Sequence, residues 1–246
     1  MVPTHETIHA AVAARVAAVL ALAVLAILSS CGDGVPVGVE APSGQTTELP
    51  QPVVDGELSL ESALAQRRSV RSFAPDPLSL EELGQLLWAA QGITAEWGGR
   101  TAPSAGGLHP IELHVVASAV RGLDPGVYRY RPADHSLEHT VGRDLGDDSV
   151  PDVLDQGSID AAPASIVVAA VQARTAERYG RRAERYVTLE AGHVAQNVAL
   201  QAVALGLGSV PVGAFDDDEV AAILRFGPGE RPLYVLPVGH PADAAG

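Results

Sequence analysis

Five short segments rich in β-branched and apolar residues place the strongest constraint on this chain's fold: Ile111 to Ala117, Val127 to Tyr130, Ser165 to Val171, Val210 to Ala214 and Leu233 to Val238. Residues branched at Cβ pack well on a pleated surface, and apolar runs this short read as strands. Helical patterns separate them, near Val150 to Leu154, from Arg181 to Leu205 and from Asp217 to Leu224. Ser79 with Glu82 forms a capping-box signature that opens another helix through about Gln91, with Gly92 at its end. Strands and helices mixed in this way predict an α+β layer fold.

The 246 residues are 47% hydrophobic and 19% charged, enough to bury a full core. The part after Glu57 is about 190 residues, the size of a single domain. A net charge of −14 and the absence of lysine argue against nucleic acid, whose backbone rewards dense positive charge. The arginines are therefore placed rather than plentiful.

At the amino terminus, Val16 to Leu28 is an apolar run preceded by Arg15, short for a membrane span and the right length for a signal-peptide core. Leu28-Ser29-Ser30-Cys31 follows, similar to a bacterial lipobox, and Cys31 is the only cysteine. The expectation is a leader over 1–31, a lipid anchor on Cys31 and export to a membrane surface. The alternative is a cytoplasmic protein. Gly32 to Glu57 is rich in Gly, Pro, Ser and Thr without apolar periodicity, which predicts a flexible linker ahead of one domain over 58–246.

Chemistry concentrates in three places. Arg67-Arg68-Ser69-Val70-Arg71 puts three guanidinium groups and a hydroxyl in five residues, a set suited to phosphate because the planar fork of arginine matches phosphate oxygens two at a time. Alone, such a cluster is more often a solvated helix end. Pro103-Ser104-Ala105-Gly106-Gly107-Leu108-His109-Pro110 is a small-residue loop that lets backbone approach a flat ligand. Gly206 to Phe215 ends a long helix on glycine and passes into a short strand and a second glycine, Gly213.

In this order and at these separations the three segments resemble the FMN-dependent nitroreductase family, closest to the SagB-type dehydrogenases and azoline oxidases of peptide-modifying pathways. The resemblance covers Leu58 to Ala242. It implies a mostly antiparallel sheet flanked by helices, in a homodimer with two flavin sites at its interface. It also implies contacts from Arg67, Arg68, Ser69 and Arg71 to the phosphate, ribityl chain and pyrimidine edge of FMN. Pro103, Ser104 and Gly107 would serve the partner subunit's flavin. Pro211, Val212 and Gly213 would bring a backbone N–H to the flavin N5 atom. Two departures stand out. A basic residue often follows the last strand in the family, whereas here Pro237-Val238-Gly239-His240-Pro241 is followed by none, so phosphate would rest on the first segment with help from His240. A frequent asparagine donor of the loop is Gly107 here.

The long helix carries Glu190, His193 and Asn197 on one face, with Gln196 beside them. A helical di-metal site needs a second Glu-x-x-His pair and more carboxylates; without these the set reads as a polar seam in the core or at a dimer interface, and no metal is expected. His109 is a weak candidate to meet substrate and equally a loop cap. Tyr128, Tyr130, Tyr179 and Tyr186 are pocket walls or ordinary packing. Gly206-x-Gly208 is no dinucleotide fingerprint, because it follows a helix and reaches Pro211 three residues on.

The implied activity is hydride transfer through FMN, with no catalytic side-chain nucleophile, as a nitro or quinone reductase fed by NADH or NADPH. A SagB-type azoline dehydrogenase acting on a peptide is the alternative, because Gly126 to Tyr130 and Glu190 to Asn197 resemble that subgroup. A flavin-binding lipoprotein without turnover is the third reading.

Overall fold

The computed structural model describes residues 44–142 and 162–242. The leader, Cys31, most of the expected linker and the helix expected near Val150 lie outside the described residues.

Strand β5 (Ala164–Val171) is buried along nearly its whole length, so both faces of the sheet are covered at its centre. Alternate residues go to opposite sides. Ile166, Val168 and Ala170 join one core cluster with Leu113 and Val115 of β2 (Ile111–Ala117), while Val167 joins a second with Val116. This period of two follows from the pleat, which points successive Cβ atoms to opposite faces.

Around β5 the described residues form a seven-stranded sheet. Besides β2 and β5 it contains β1 (Thr46–Glu48), β3 (Gly126–Arg131), β4 (Ser136–Val141), β6 (Gly208–Ser209) and β7 (Glu230–Gly239). The order is β1-β4-β3-β2-β5-β7-β6 and every ladder is antiparallel. The expected α+β class and antiparallel sheet are both observed.

Helix α1 (Leu60–Gln66), α2 (Leu80–Gln91), α3 (Gln172–Tyr179), α4 (Ala183–Ala204) and α5 (Asp217–Ile223) accompany the sheet. α2 starts at the capping box as expected: Glu82 N–H donates to Ser79 Oγ at 3.1 Å and Ser79 N–H donates to Glu82 Oε2 at 2.7 Å. It buries Leu83, Leu86 and Leu87 in the larger cluster, which also takes Val187, Val194 and Val198 of α4. Each such side chain contributes about 1.5–3 kcal/mol on burial. α5 covers the smaller cluster through Val220, with Leu224 just beyond its end.

Three sequence expectations are corrected. Residues 44–57 are not all linker: Thr46–Glu48 pairs with β4, Leu49 is buried, and the Gln85 side chain accepts from Val53 N–H at 2.8 Å and donates to Val53 C=O at 2.9 Å. A three-residue strand and one core side chain just beyond it leave no periodicity to read. The helix expected from Arg181 is preceded by a separate one, α3, and the two are divided at Gly180, whose φ of 52° lies outside the helical region. α3 escaped notice because it buries little, Thr175 being its buried residue. The strand expected over Val210 to Ala214 is instead β6 plus a single bridge from Val212 to Val235, since Pro211 between them has no N–H to donate. α1 and β4 were not expected.

Candidate functional site

The first segment begins where α1 stops. Arg67 caps that helix, its N–H donating to Ala63 C=O at 2.9 Å, and its ψ of 124° turns the chain into extended backbone. The extended stretch then joins the end of the sheet. Val70 N–H donates to Ser209 C=O at 3.1 Å, Ser69 forms a parallel bridge with Ser209, and Ala74 N–H donates to His240 C=O at 2.9 Å. First and third segments are thus one unit, with His240 at its end.

Gly208 makes that contact possible. A Cβ built there would lie 2.6 Å from the Val70 side chain, well inside van der Waals contact. Its neighbour Val212 is fixed by two backbone hydrogen bonds with Val235, at 2.8 and 2.9 Å, and Pro211 and Gly213 on either side are exposed. Such an arrangement can present backbone to a ligand from a segment fixed to β7.

Arg68, Ser69 and Arg71 are exposed and Arg67 is half-buried. Among the described residues no carboxylate pairs with any of the three guanidinium groups, in a chain that is strongly acidic. Arg68 Nη1 folds back onto the carbonyls of Ala65 at 3.0 Å and Arg67 at 2.8 Å, satisfying the end of α1. Arg67, Ser69, Arg71 and the rest of the Arg68 guanidinium remain as donors. Uncompensated guanidinium groups beside a hydroxyl fit a phosphate.

The Pro103 to Pro110 loop is held on other elements. Ser104 Oγ accepts from His109 N–H at 2.9 Å, closing the turn, and Arg174 of α3 donates from Nη1 to His109 C=O at 3.1 Å. Arg174 is fixed in turn by Glu112 at 2.6 Å, which also pairs with Arg129 at 2.8 Å. Gly106 and Gly107 take φ values of 66° and 65°, and a Cβ on Gly106 would meet the Tyr179 hydroxyl at 2.8 Å. The loop's form depends on both glycines.

His109 has a φ of 46°, an uncommon conformation for a residue with a side chain. Burial, then the charge of Arg100, lowers its pKa, which favours the neutral imidazole. On α4, Glu190 and Asn197 turn inward and His193 outward. Asn197 Nδ2 donates to Ala89 C=O at 3.0 Å, so that part of the polar seam joins α4 to α2. Among the described residues no group of three or more His, Cys, Asp and Glu is placed to hold a metal. Tyr128 and Tyr130 are core residues whose hydroxyls bond to Asp124 C=O at 2.6 Å and His135 Nδ1 at 2.9 Å. Tyr179 and Tyr186 form an edge-to-face pair beside the loop, with ring centroids 5.0 Å apart.

Sequence reasoning missed Gln91 and Arg100. Arg100 Nη1 donates to Gln91 Oε1 at 2.8 Å beneath the loop. An arginine after two glycines reads as a solvated turn, and only its position just before Pro103 hinted otherwise.

Residues 64–240 match the model of the nitroreductase family. The chain belongs to the nitroreductase family. It is 44% identical over 197 residues to a candidate nitroreductase of Methanocaldococcus jannaschii, covering 80% of this chain and 98% of that protein. Among solved structures, a candidate nitroreductase from Ralstonia eutropha superposes with a TM-score of 0.71 at 30% identity, covering 86% of this chain and 97% of that one. Another from Anabaena variabilis gives 0.69 at 27% identity, covering 86% of this chain and 45% of that one. As a nitroreductase-family member the protein is an oxidoreductase of the flavin-dependent kind.

Proposed function

We propose that this nitroreductase-family protein binds FMN and reduces small nitro- or quinone-type acceptors at the expense of NADH or NADPH. The observation that carries the reading is the joining of Arg67, Ser69 and Arg71 to the Gly208–Gly213 segment through Val70 and Ser209. Arg67 and Arg71 would neutralise a terminal phosphate, which favours FMN over flavins whose phosphate is bridged. His240 is tied through its carbonyl to Ala74, and its imidazole stands 3.7 Å from the Glu82 carboxylate. Bound flavin supplies hydride acceptance and donation. The chain's own part is to hold it: Gly213 offers a backbone N–H beside Val212, which is pinned to Val235, and the exposure of Pro211 and Gly213 leaves room for that approach.

Family members are generally dimeric, and the loop from Pro103 to Pro110 has its anchors on α3 and β2 rather than on the arginine segment. That placement supports a homodimer in which Ser104 and Gly107 face the partner subunit's flavin. A lipid anchor on Cys31 would hold the enzyme at a membrane surface. A second reading, azoline dehydrogenase, rests on the stretch from Glu190 to Asn197 that resembles that subgroup.

The test is direct. Purified protein is expected to be yellow, to release FMN rather than FAD on denaturation, and to oxidise NADH or NADPH with a quinone or nitroaromatic acceptor in ping-pong fashion. Colourless protein that takes up no added FMN overturns the proposal. Flavin-loaded protein that ignores those acceptors but oxidises a thiazoline peptide selects the second reading.

A further inference from the structure

Residues 174–185 hold Arg174, Arg178, Arg181, Arg182 and Arg185, in a chain whose net charge is −14. Arg174 is used inside the fold, on Glu112 and the His109 carbonyl. The other four are exposed, and among the described residues no carboxylate pairs with any of them, although Glu177 and Glu184 stand beside them in sequence. Elsewhere the chain does pair its arginines, Arg129 with Glu112 and Arg131 with Glu138. Stability does not account for the difference. Arg174 and Arg178 lie four apart on α3, where like charges repel, and Arg182 and Arg185 stand at the start of α4, the helix end that disfavours positive charge.

This basic patch is built onto the glycine loop. A Cβ on Gly106 would lie 3.0 Å from Arg178 Nη1 and 2.8 Å from the Tyr179 hydroxyl, so the loop and the end of α3 are packed against each other. The Arg178 guanidinium lies over the Tyr179 ring, 5.5 Å from its centroid, and the turn at Gly180 sets that ring edge-on to Tyr186 of α4. Both rings are partly exposed. Guanidinium forks take phosphate oxygens two at a time, and tyrosine rings beside them offer an aromatic surface to a base.

We infer that Arg178, Arg181, Arg182 and Arg185, with Tyr179 and Tyr186, bind the phosphate-bearing tail of the nicotinamide dinucleotide donor. The inference rests on the proposed function, which sets the Pro103–Pro110 loop against the partner subunit's FMN and so puts the patch at the edge of that site. The patch recognises the donor's charge and takes no part in hydride transfer.

Steady-state kinetics of FMN-loaded, full-length protein test this with two donors, NADPH and reduced benzyl nicotinamide, which has the same reacting ring and no phosphate. With Arg181→Ala and Arg182→Ala combined, the KM for NADPH is expected to rise roughly tenfold at unchanged kcat, the pattern of lost uniform binding. The KM for the benzyl compound should not move. Added salt should raise the native protein's KM for NADPH and have less effect in the variant. Arg231→Ala, at an exposed arginine of β7, removes the same charge elsewhere and should leave the KM for NADPH in place. A rise confined to NADPH assigns the patch to the ribose phosphate, and a rise shared with NADH assigns it to the pyrophosphate. Equal changes for NADPH and the benzyl compound, or no change for either, overturn the inference while the proposed function stands. Flavin-loaded protein that oxidises neither donor overturns both.

Discussion

Val70 N–H donates to the carbonyl of Ser209 at 3.1 Å, and this bond joins the arginine segment to the strand that follows α4. The contact is close enough that Gly208, one residue earlier, has no room for a side chain against Val70. Cofactor phosphate and cofactor ring would therefore be held by one piece of structure.

Gly208→Ala is expected to part the two segments. A methyl group 2.6 Å from the Val70 side chain forces the backbones apart, and overpacking of this kind costs about 1–3 kcal/mol. Both the melting temperature and FMN affinity should fall, and Val70→Ala in the same chain should recover part of each. Calorimetry with flavin titration checks this, and full flavin affinity in the Gly208→Ala variant would detach the two segments functionally.

Arg67→Ala should weaken FMN while leaving the fold unchanged, because Arg67 makes no ion pair among the described residues that its loss would break. A charge-assisted contact to phosphate contributes about 1.5–3 kcal/mol, or roughly ten- to a hundredfold in affinity. Arg68→Ala should have a much smaller effect, since its Nη1 is engaged with the carbonyls of Ala65 and Arg67. Equal losses in the two variants would return Arg68 to the grip.

The fold was legible wherever its cause was local. Ser79 and Glu82 cap α2 within one turn, and the alternation of Ile111 to Ala117 carries its own period. Ser69 and Ser209 are far apart in sequence, so their pairing left no local trace, and the residue pattern was legible only through family likeness. Leu49 enters the core from a stretch with linker composition because a single buried side chain creates no period. Arg100 and Gln91 were missed for a related reason. Buried polar clusters are assembled from several elements, here α2, the Gly-rich turn and α4, and none of these looks unusual alone.

If Leu28-Ser29-Ser30-Cys31 is a lipobox, full-length protein made in a bacterium should partition with membranes, and Cys31→Ser should abolish lipid incorporation. Serine cannot form the thioether that carries a diacylglyceryl group. Mass spectrometry of the mature amino terminus decides it, and an unmodified terminus in soluble cytoplasmic protein would favour the cytoplasmic alternative.

The second core cluster carries a pH dependence of its own. Glu230 Oε1 lies 2.6 Å from His114 Nε2, and its other oxygen accepts from Gly227 N–H at 3.3 Å, with Phe226 against the imidazole at 4.5 Å between centroids. Burial pushes the Glu230 carboxyl up, but His114, the Gly227 amide and Arg129 together outweigh it and hold its pKa below the ordinary value. A carboxyl whose folded pKa is depressed adds stability that is present above the unfolded value, about 4.3, and is lost as pH falls through the folded one. Glu190 has the opposite sign, since its raised pKa removes stability as pH rises through the folded value, so it cannot produce an acid-side loss. Melting temperature should therefore drop below about pH 4.3 in the native protein. Glu230→Gln should lower it by the equivalent of about 1.5–3 kcal/mol at neutral pH and flatten the acid limb. An acid limb of unchanged steepness in that variant would assign the loss to other carboxylates.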